Sequence, residues 1–239
     1  MNIYVLCGNA RTFISCIDSC YENLINSLED GEKYVLFYLK LSDPGPKGQE
    51  FWDFSYPIVR RADILSKISE IKTNHPELNI ITKIVSDNEI TDEDLYDKIK
   101  DRSKYIEFLD DDKKLLRSMH YFYNFEICGN MILDIEQERK EEFENIIFCR
   151  PDLYFTKPAN NIESYSLSNV VLGYGPNIYI NDHVAIVPRI FLDNFFFDRM
   201  KLFENNDEDI FCISEDIYIQ TIEDCFTEEL IGEYYIKRD

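Results

Sequence analysis

The sequence predicts an α/β fold: a mostly parallel central sheet with helices on both faces. Three observations predict it. Short β-rich apolar runs alternate along the chain with longer stretches of helical periodicity. The run Asn145–Cys149 is apolar almost throughout, as a strand covered on both faces must be. The 239 residues are 45% hydrophobic and 30% charged and include 16 Tyr and 17 Phe, enough apolar material for a core and too much for a disordered chain. At this length a single domain spanning residues 1–239 is expected.

The elements follow in order. Ile3–Cys7 reads as the first buried strand. Ser15–Leu28 then places Ile17, Cys20, Tyr21, Leu24, Ile25 and Leu28 at spacings of three and four, the mark of a helix with one buried face. Lys33–Leu41 is the second strand. Two prolines and two glycines in Ser42–Gly48 can continue neither element, so a loop follows. Ile58–Lys72 has helical periodicity, Asn79–Val85 is a third strand, and Ser86–Asp112 is acidic and polar with helical fragments. From Lys113 to about Glu142, the row Leu116, Met119, Tyr123, Ile127, Met131 and Ile135 predicts one long helix lying on the sheet. After Asn145–Cys149 come strands at Asn169–Tyr174 and Tyr179–Pro188, helices at Ile190–Glu204 and Ser214–Asp224, and a strand at Glu233–Lys237.

Charge narrows the partners. With 25 Lys and Arg against 46 Asp and Glu, the formal net charge is −21 and the pI is near 4.5. Such a field repels nucleic acid and anionic membranes, so no nucleic-acid partner is expected. No apolar stretch approaches the roughly 20 residues that cross a bilayer, so no transmembrane segment is expected. The N-terminus lacks a basic region and reads as a strand rather than a signal peptide. The seven cysteines are odd in number, scattered and without a C-x-x-C pair, which suits buried thiols in a reducing cytoplasm.

In open α/β sheets ligands bind beyond the carboxyl ends of the strands, so polar residues there are the functional candidates. Gly8-Asn9-Ala10-Arg11 follows the first strand. Gly8 permits a tight turn and Arg11 offers a planar fork to a phosphate. The same residues suit a plain strand-to-helix turn whose arginine meets a surface carboxylate. The pattern is neither G-x-G-x-x-G nor a P-loop, which disfavours a dinucleotide dehydrogenase and a Walker-type ATPase. Arg150-Pro151-Asp152 ends the buried run. Asp152 is placed to hold Mn²⁺ or Mg²⁺, which would bridge an acidic protein to an anionic diphosphate; alternatively, Arg150 and Asp152 form a structural ion pair. The third cluster is Asn181-Asp182-His183 within a strand, together with Ser214-Glu215-Asp216. Ser214 suits an N-cap, with Glu215 and Asp216 either favoured by the helix dipole or serving as a general base. His183 suits either a metal ligand or a structural role. Leu109–Asp112 reads as the acidic start of the long helix and Asn205–Asp209 as a polar loop.

Five of these motifs, in this order on an α/β pattern, resemble glycosyltransferases of the GT-A type, in particular small sugar transferases of large DNA viruses and bacterial polysaccharide loci. They are Gly8–Phe13, the helix segment from Arg117, Arg150–Phe155, the strand from Asn181, and Ser214–Asp216. The resemblance implies a Rossmann-like GT-A sheet and transfer of a sugar from a nucleoside-diphosphate sugar donor to a hydroxyl of a glycan or glycoprotein acceptor. It implies that Gly8, Asn9, Arg11, Arg150 and Asp152 contact the donor, with Asp152 the ligand of Mn²⁺ or Mg²⁺. Asp182 would line the sugar or acceptor site, and Glu215 or Asp216 would be the base. Tyr174 and Tyr179 are candidates to stack on sugars. Arg150 departs from the family, standing where its D-x-D has the first aspartate; a fixed positive charge there can itself stabilise a departing phosphate. Two other classes fit the composition: a non-catalytic acidic module that binds a basic protein, and a nucleotidyltransferase, for which a glycine-rich basic loop is wanting.

Overall fold

The first strand shows why the sheet is central. Along β1 (Asn2–Asn9), buried from Asn2 to Cys7, side chains alternate between two cores: Tyr4 and Leu6 join one, Ile3, Val5 and Cys7 the other. A strand apolar on both sides must be covered on both sides. The computed structural model describes residues 1–41, 59–86, 89–100, 112–174, 180–205 and 226–237. Among these, β1 pairs in parallel with β2 (Lys33–Leu41) and β4 (Asn145–Cys149), and β2 in parallel with β3 (Leu78–Ser86). Beyond β4 the direction changes. The strand β7 (Ile180–Pro188) runs antiparallel to β4 and to β6 (Val170–Tyr174), and β8 (Phe226–Glu229) lies parallel to β6. The order is β3-β2-β1-β4-β7-β6-β8. The expected mostly parallel sheet is thus present, with β7 as its antiparallel member.

One face carries α1 (Phe13–Cys20), prolonged by a π-helical segment, Tyr21–Ile25, and a last turn, Asn26–Leu28, together with α2 (Arg61–Asn74). All six residues expected on the buried face of this first helix are buried. A short capped helix, α3 (Asp92–Tyr96), follows in the polar stretch. The other face carries α4 (Asp112–Arg139) and α5 (Leu192–Phe196). The buried row of α4 differs from the expected one: Met119, Phe122, Phe125, Cys128, Ile132 and Ile135 are buried, whereas Tyr123, Ile127 and Met131 are only half-buried. A strict four-residue spacing advances about 40° per step around a helix of 3.6 residues per turn, so the real seam mixes threes with fours. Met119 and Phe122 moreover meet a separate cluster with Leu95, Met200 and Phe203 rather than the sheet.

One further expectation is corrected. The helix expected over Ile190–Glu204 is divided into a 3₁₀ turn, Arg189–Phe191, then α5, then α6 (Asp198–Asn205). The break at Phe197 lets three consecutive phenylalanines face inward, more than one helical stripe can accept. Two of them seat on Gly129 of α4, where an added Cβ would lie 2.6 Å from Phe197 Cζ and 2.9 Å from Phe196 Cβ. The last strand, β9 (Glu233–Ile236), joins a separate two-stranded sheet with β5 (Leu153–Lys157). Its inward residues, Leu153, Phe155 and Tyr234, enter the first core. The loop from Ser42, Asp110 and Asp111, Tyr179, and the helix expected from Ser214 with Glu215 and Asp216 lie outside the described residues. Cys7, Cys16, Cys20, Cys128 and Cys149 are buried free thiols. No helix among the described residues is long and apolar enough to cross a membrane.

Candidate functional site

Three chain segments meet at the carboxyl edge of β1 and β4. The first is the exit from β1. Gly8 has φ +144°, a conformation that disfavours any side chain, and an added Cβ would lie 3.1 Å from Cδ of Pro151. This glycine therefore lets the β1 turn close on the β4 turn. The Ala10 N–H donates to the Lys40 carbonyl at 2.9 Å, carrying the ladder one residue past β1, and Arg11 stands half-buried in the turn before α1.

The second segment is Arg150–Asp152. The Arg150 N–H donates to the His183 carbonyl at 2.9 Å, so the chain is still held to β7 as it leaves β4. Pro151 then turns it, and the Arg150 guanidinium grips Asp152 with both ends of one edge: Nε to Oδ1 at 2.9 Å and Nη2 to Oδ2 at 2.7 Å. The carboxylate is the inner partner, its side chain 5% exposed against 25% for Arg150. A parallel, bidentate pair of this kind fixes both groups more firmly than a single contact.

The third segment is the C-terminal strand. The Lys237 N–H donates to the Asp152 carbonyl at 2.9 Å, and the Thr12 hydroxyl donates to the Lys237 carbonyl at 3.3 Å. Residues near the two ends of the chain thereby brace the Arg150–Asp152 turn. Lys237 Nζ lies 5.5 Å from the centre of the Tyr154 ring, which itself packs at a tilt against Tyr235. Close by, burial pushes the Cys16 thiol pKa up, against the opposing effect of hydrogen bonds from Thr12 and Ser15; a thiol held protonated is a poor nucleophile.

The structure thus brings Gly8, Asn9, Arg150 and Asp152 to one edge, with Arg11 in the adjoining turn. Because β7 is antiparallel to β4, its first residues reach the same edge, and Asp182 sits there, one residue before His183. The His183 ring stands edge-on to Tyr234 at 6.1 Å. Tyr174 closes β6. Lys40 and Lys237, which periodicity and motif do not single out, add positive residues to this edge of an acidic chain; the advance signal is that Lys40 stands next to last in one strand-like run and Lys237 last in another.

The donor set at Asp152 does not fit a divalent ion. Both carboxylate oxygens face the guanidinium and the carbonyl is engaged by Lys237. Among the described residues no three His, Cys, Asp or Glu side chains gather to hold a metal. A hard cation needs oxygen ligands with lone pairs turned toward it.

No protein-family model matches the chain, and comparison with curated proteins gives no match. Solved structures do match. The galactosyltransferase LgtC, in complex with donor and acceptor sugar analogues, corresponds to 95% of this chain and 73% of its own, at 9% identity and a TM-score of 0.50. The glycosyltransferase GlyE of Streptococcus pneumoniae TIGR4 corresponds to 96% of this chain and 46% of its own, at 12% identity and 0.48. Mouse xyloside xylosyltransferase 1 corresponds to 96% and 85%, at 8% identity and 0.46. The chain thus spans just under half the length of GlyE. At such identities the likeness is one of architecture, and the chain has the Rossmann-like α/β fold of the galactosyltransferase, the fold that the GT-A resemblance implies.

Proposed function

We propose that this chain is a single-domain glycosyltransferase that moves a sugar from a nucleoside-diphosphate donor to a hydroxyl of a glycan or glycoprotein. The observation that carries the proposal is the closure of the β1 turn on the Arg150–Asp152 turn at the carboxyl edge of a sheet shared in architecture with LgtC. Ligands of open α/β sheets lie at this edge. In this reading Gly8 and Asn9 bring backbone against the nucleotide, and Arg11 and Arg150 meet the diphosphate. Asp182 lines the sugar or acceptor side, and Glu215 or Asp216 takes the acceptor proton. In an inverting transfer the deprotonated acceptor oxygen bonds to the anomeric carbon as the bond to the diphosphate breaks. The electron pair then leaves with the nucleoside diphosphate. The protein contributes positioning, one general base, and positive charge fixed where negative charge develops on the leaving group. The five buried free thiols support work in a reducing compartment such as the cytoplasm.

The test is nucleotide release from UDP-, GDP- and dTDP-sugars with a panel of glycan acceptors, alongside thermal shifts with the free nucleotides. One donor class is expected to be consumed, and Arg150→Ala to lower kcat/KM by at least about tenfold, the loss expected on removing one charged contact to the transition state. The proposal is overturned if no nucleotide stabilises the protein and no donor is consumed. Association with a basic protein in its place would mark a binding module.

A further inference from the structure

The geometry points to a donor-phosphate site in which the Arg150 guanidinium, fixed on Asp152, takes the place of a divalent cation, so that nucleoside diphosphates bind without metal. This inference rests on the nucleotide-sugar reading above and deepens it. Four observations carry it. Both Asp152 oxygens are committed to Arg150, at 2.9 and 2.7 Å, and the carboxylate is almost fully covered. To turn an oxygen toward a cation, Asp152 would have to release a bidentate, charge-assisted pair in a site with little water to replace it. The backbone on both sides is pinned, Arg150 to the His183 carbonyl and Asp152 to the Lys237 N–H, so the turn has little freedom to reopen. The pair is also polar in a definite direction. Asp152 is the inner partner and Arg150 the more exposed one, which places the positive end toward solvent at the carboxyl edge.

The side-on grip uses Nε and one N–H of Nη2, so the pair with Asp152 occupies one edge of the guanidinium plane. A planar fork oriented from behind by a carboxylate suits two phosphate oxygens, and unlike Mg²⁺ it need not shed tightly held water. Asp152 is then a positioning residue rather than a metal ligand. Arg11 in the adjoining turn adds charge of the same sign.

The experiment is isothermal titration of the full chain with UDP, GDP, dTDP, ADP and CDP, once in EDTA and once in excess Mn²⁺, repeated on Arg150→Gln and Arg150→Lys. For the nucleotide that binds, the two dissociation constants are expected to agree within about threefold, and Arg150→Gln to weaken binding by at least about fivefold in both buffers. Arg150→Lys, which keeps the charge and loses the fork, should fall between them. A gain of more than about threefold on adding Mn²⁺ overturns the inference and leaves sugar transfer standing. So does an Arg150→Gln variant, folded by circular dichroism, that binds within about fivefold of the parent. If that variant does not fold, the EDTA and Mn²⁺ titrations of the parent decide the matter. Absence of binding by every nucleotide in both buffers overturns the nucleotide-sugar reading and this inference together.

Discussion

Two nearly identical ion pairs stand at opposite ends of β4. At the carboxyl end Arg150 grips Asp152 at 2.9 and 2.7 Å; at the amino end Arg189 grips Glu136 at 2.9 and 3.0 Å. The side-chain exposures match as well, 25% and 5% against 24% and 6%. What differs is what each pair joins. Glu136, in the last turns of α4, also accepts the Phe143 N–H at 2.9 Å, and the Arg189 N–H donates to the Glu144 carbonyl. The pair therefore ties α4, the turn before β4 and the end of β7 into one knot. The Arg150–Asp152 pair spans three residues of one turn, just beyond β4. A buried pair costs desolvation wherever it forms, so its geometry does not reveal its use. The comparison teaches that position along the strand does. The amino-end pair anchors a helix, whereas the carboxyl-end pair stands at the edge where open α/β sheets in general bind ligands.

The sharpest way to break this contrast is Glu136→Ala. It leaves the Arg189 fork without its main carboxylate, and removing one member of a buried pair costs about 3 kcal/mol, a fall of roughly 6–12 °C in Tm for a chain of this size. Calorimetry should show that loss while the added stabilisation by a bound nucleotide is unchanged. If nucleotide binding falls as steeply as it does in Arg150→Gln, the two ends are not functionally distinct.

A second contrast uses two glycines. Gly8, at the carboxyl edge, has φ +144° and Pro151 Cδ at 3.1 Å from a built Cβ; Gly31, before β2 at the amino edge, has φ +96° and nothing within 4 Å. Gly8→Val adds both backbone strain and a collision with the Arg150–Asp152 turn, expected at about 2–3 kcal/mol with loss of nucleotide affinity. Gly31→Ala adds backbone strain alone, about 1 kcal/mol, with affinity untouched. Urea titration and nucleotide titration of both variants test this. Equal affinities would show that the β1 turn does not shape the site.

Much of the carboxyl edge was legible in the sequence because its signals are local. Gly8 and Arg11 follow one apolar run and Arg150 and Asp152 follow another, and a run buried on both faces delivers whatever comes next to the sheet's end. What brackets these residues was not legible. The grip of Lys237 on Asp152 depends on β9 pairing with β5 across about a third of the chain, and the Glu136–Arg189 pair joins residues 53 apart. No periodicity within one element encodes such contacts. The α4 seam departs from the four-residue row for a related reason, since a regular four-residue spacing drifts off the face that packing selects. The same holds for the helix broken at Phe197, whose break answers to Gly129 on another element.

The smallest expected effect lies at the amino edge and is a matter of pH. The Tyr21 hydroxyl donates to Glu77 Oε1 at 3.0 Å, and its ring lies against His75, with centroids 3.8 Å apart. Burial, with the Glu77 hydrogen bond and charge, raises the Tyr21 pKa from 10.0 to about 12. A raised value means that the folded state holds the proton more tightly than the unfolded one. Its contribution to stability is therefore complete below pH 10 and is lost as pH rises toward about 12. Tyr21→Phe removes the titrating proton and one hydrogen bond, so at neutral pH it should cost about 0.5–1 kcal/mol. Between pH 10 and about 12 its melting temperature should fall less steeply than the parent's. Tyr4 and Tyr38, also raised by burial, titrate in both proteins and cancel in the difference. Parallel melting curves across that window would mean that Tyr21 ionises as freely in the folded chain as in the unfolded one, while any change in nucleotide affinity would carry the amino edge into the site and undo the contrast between the two ends of β4.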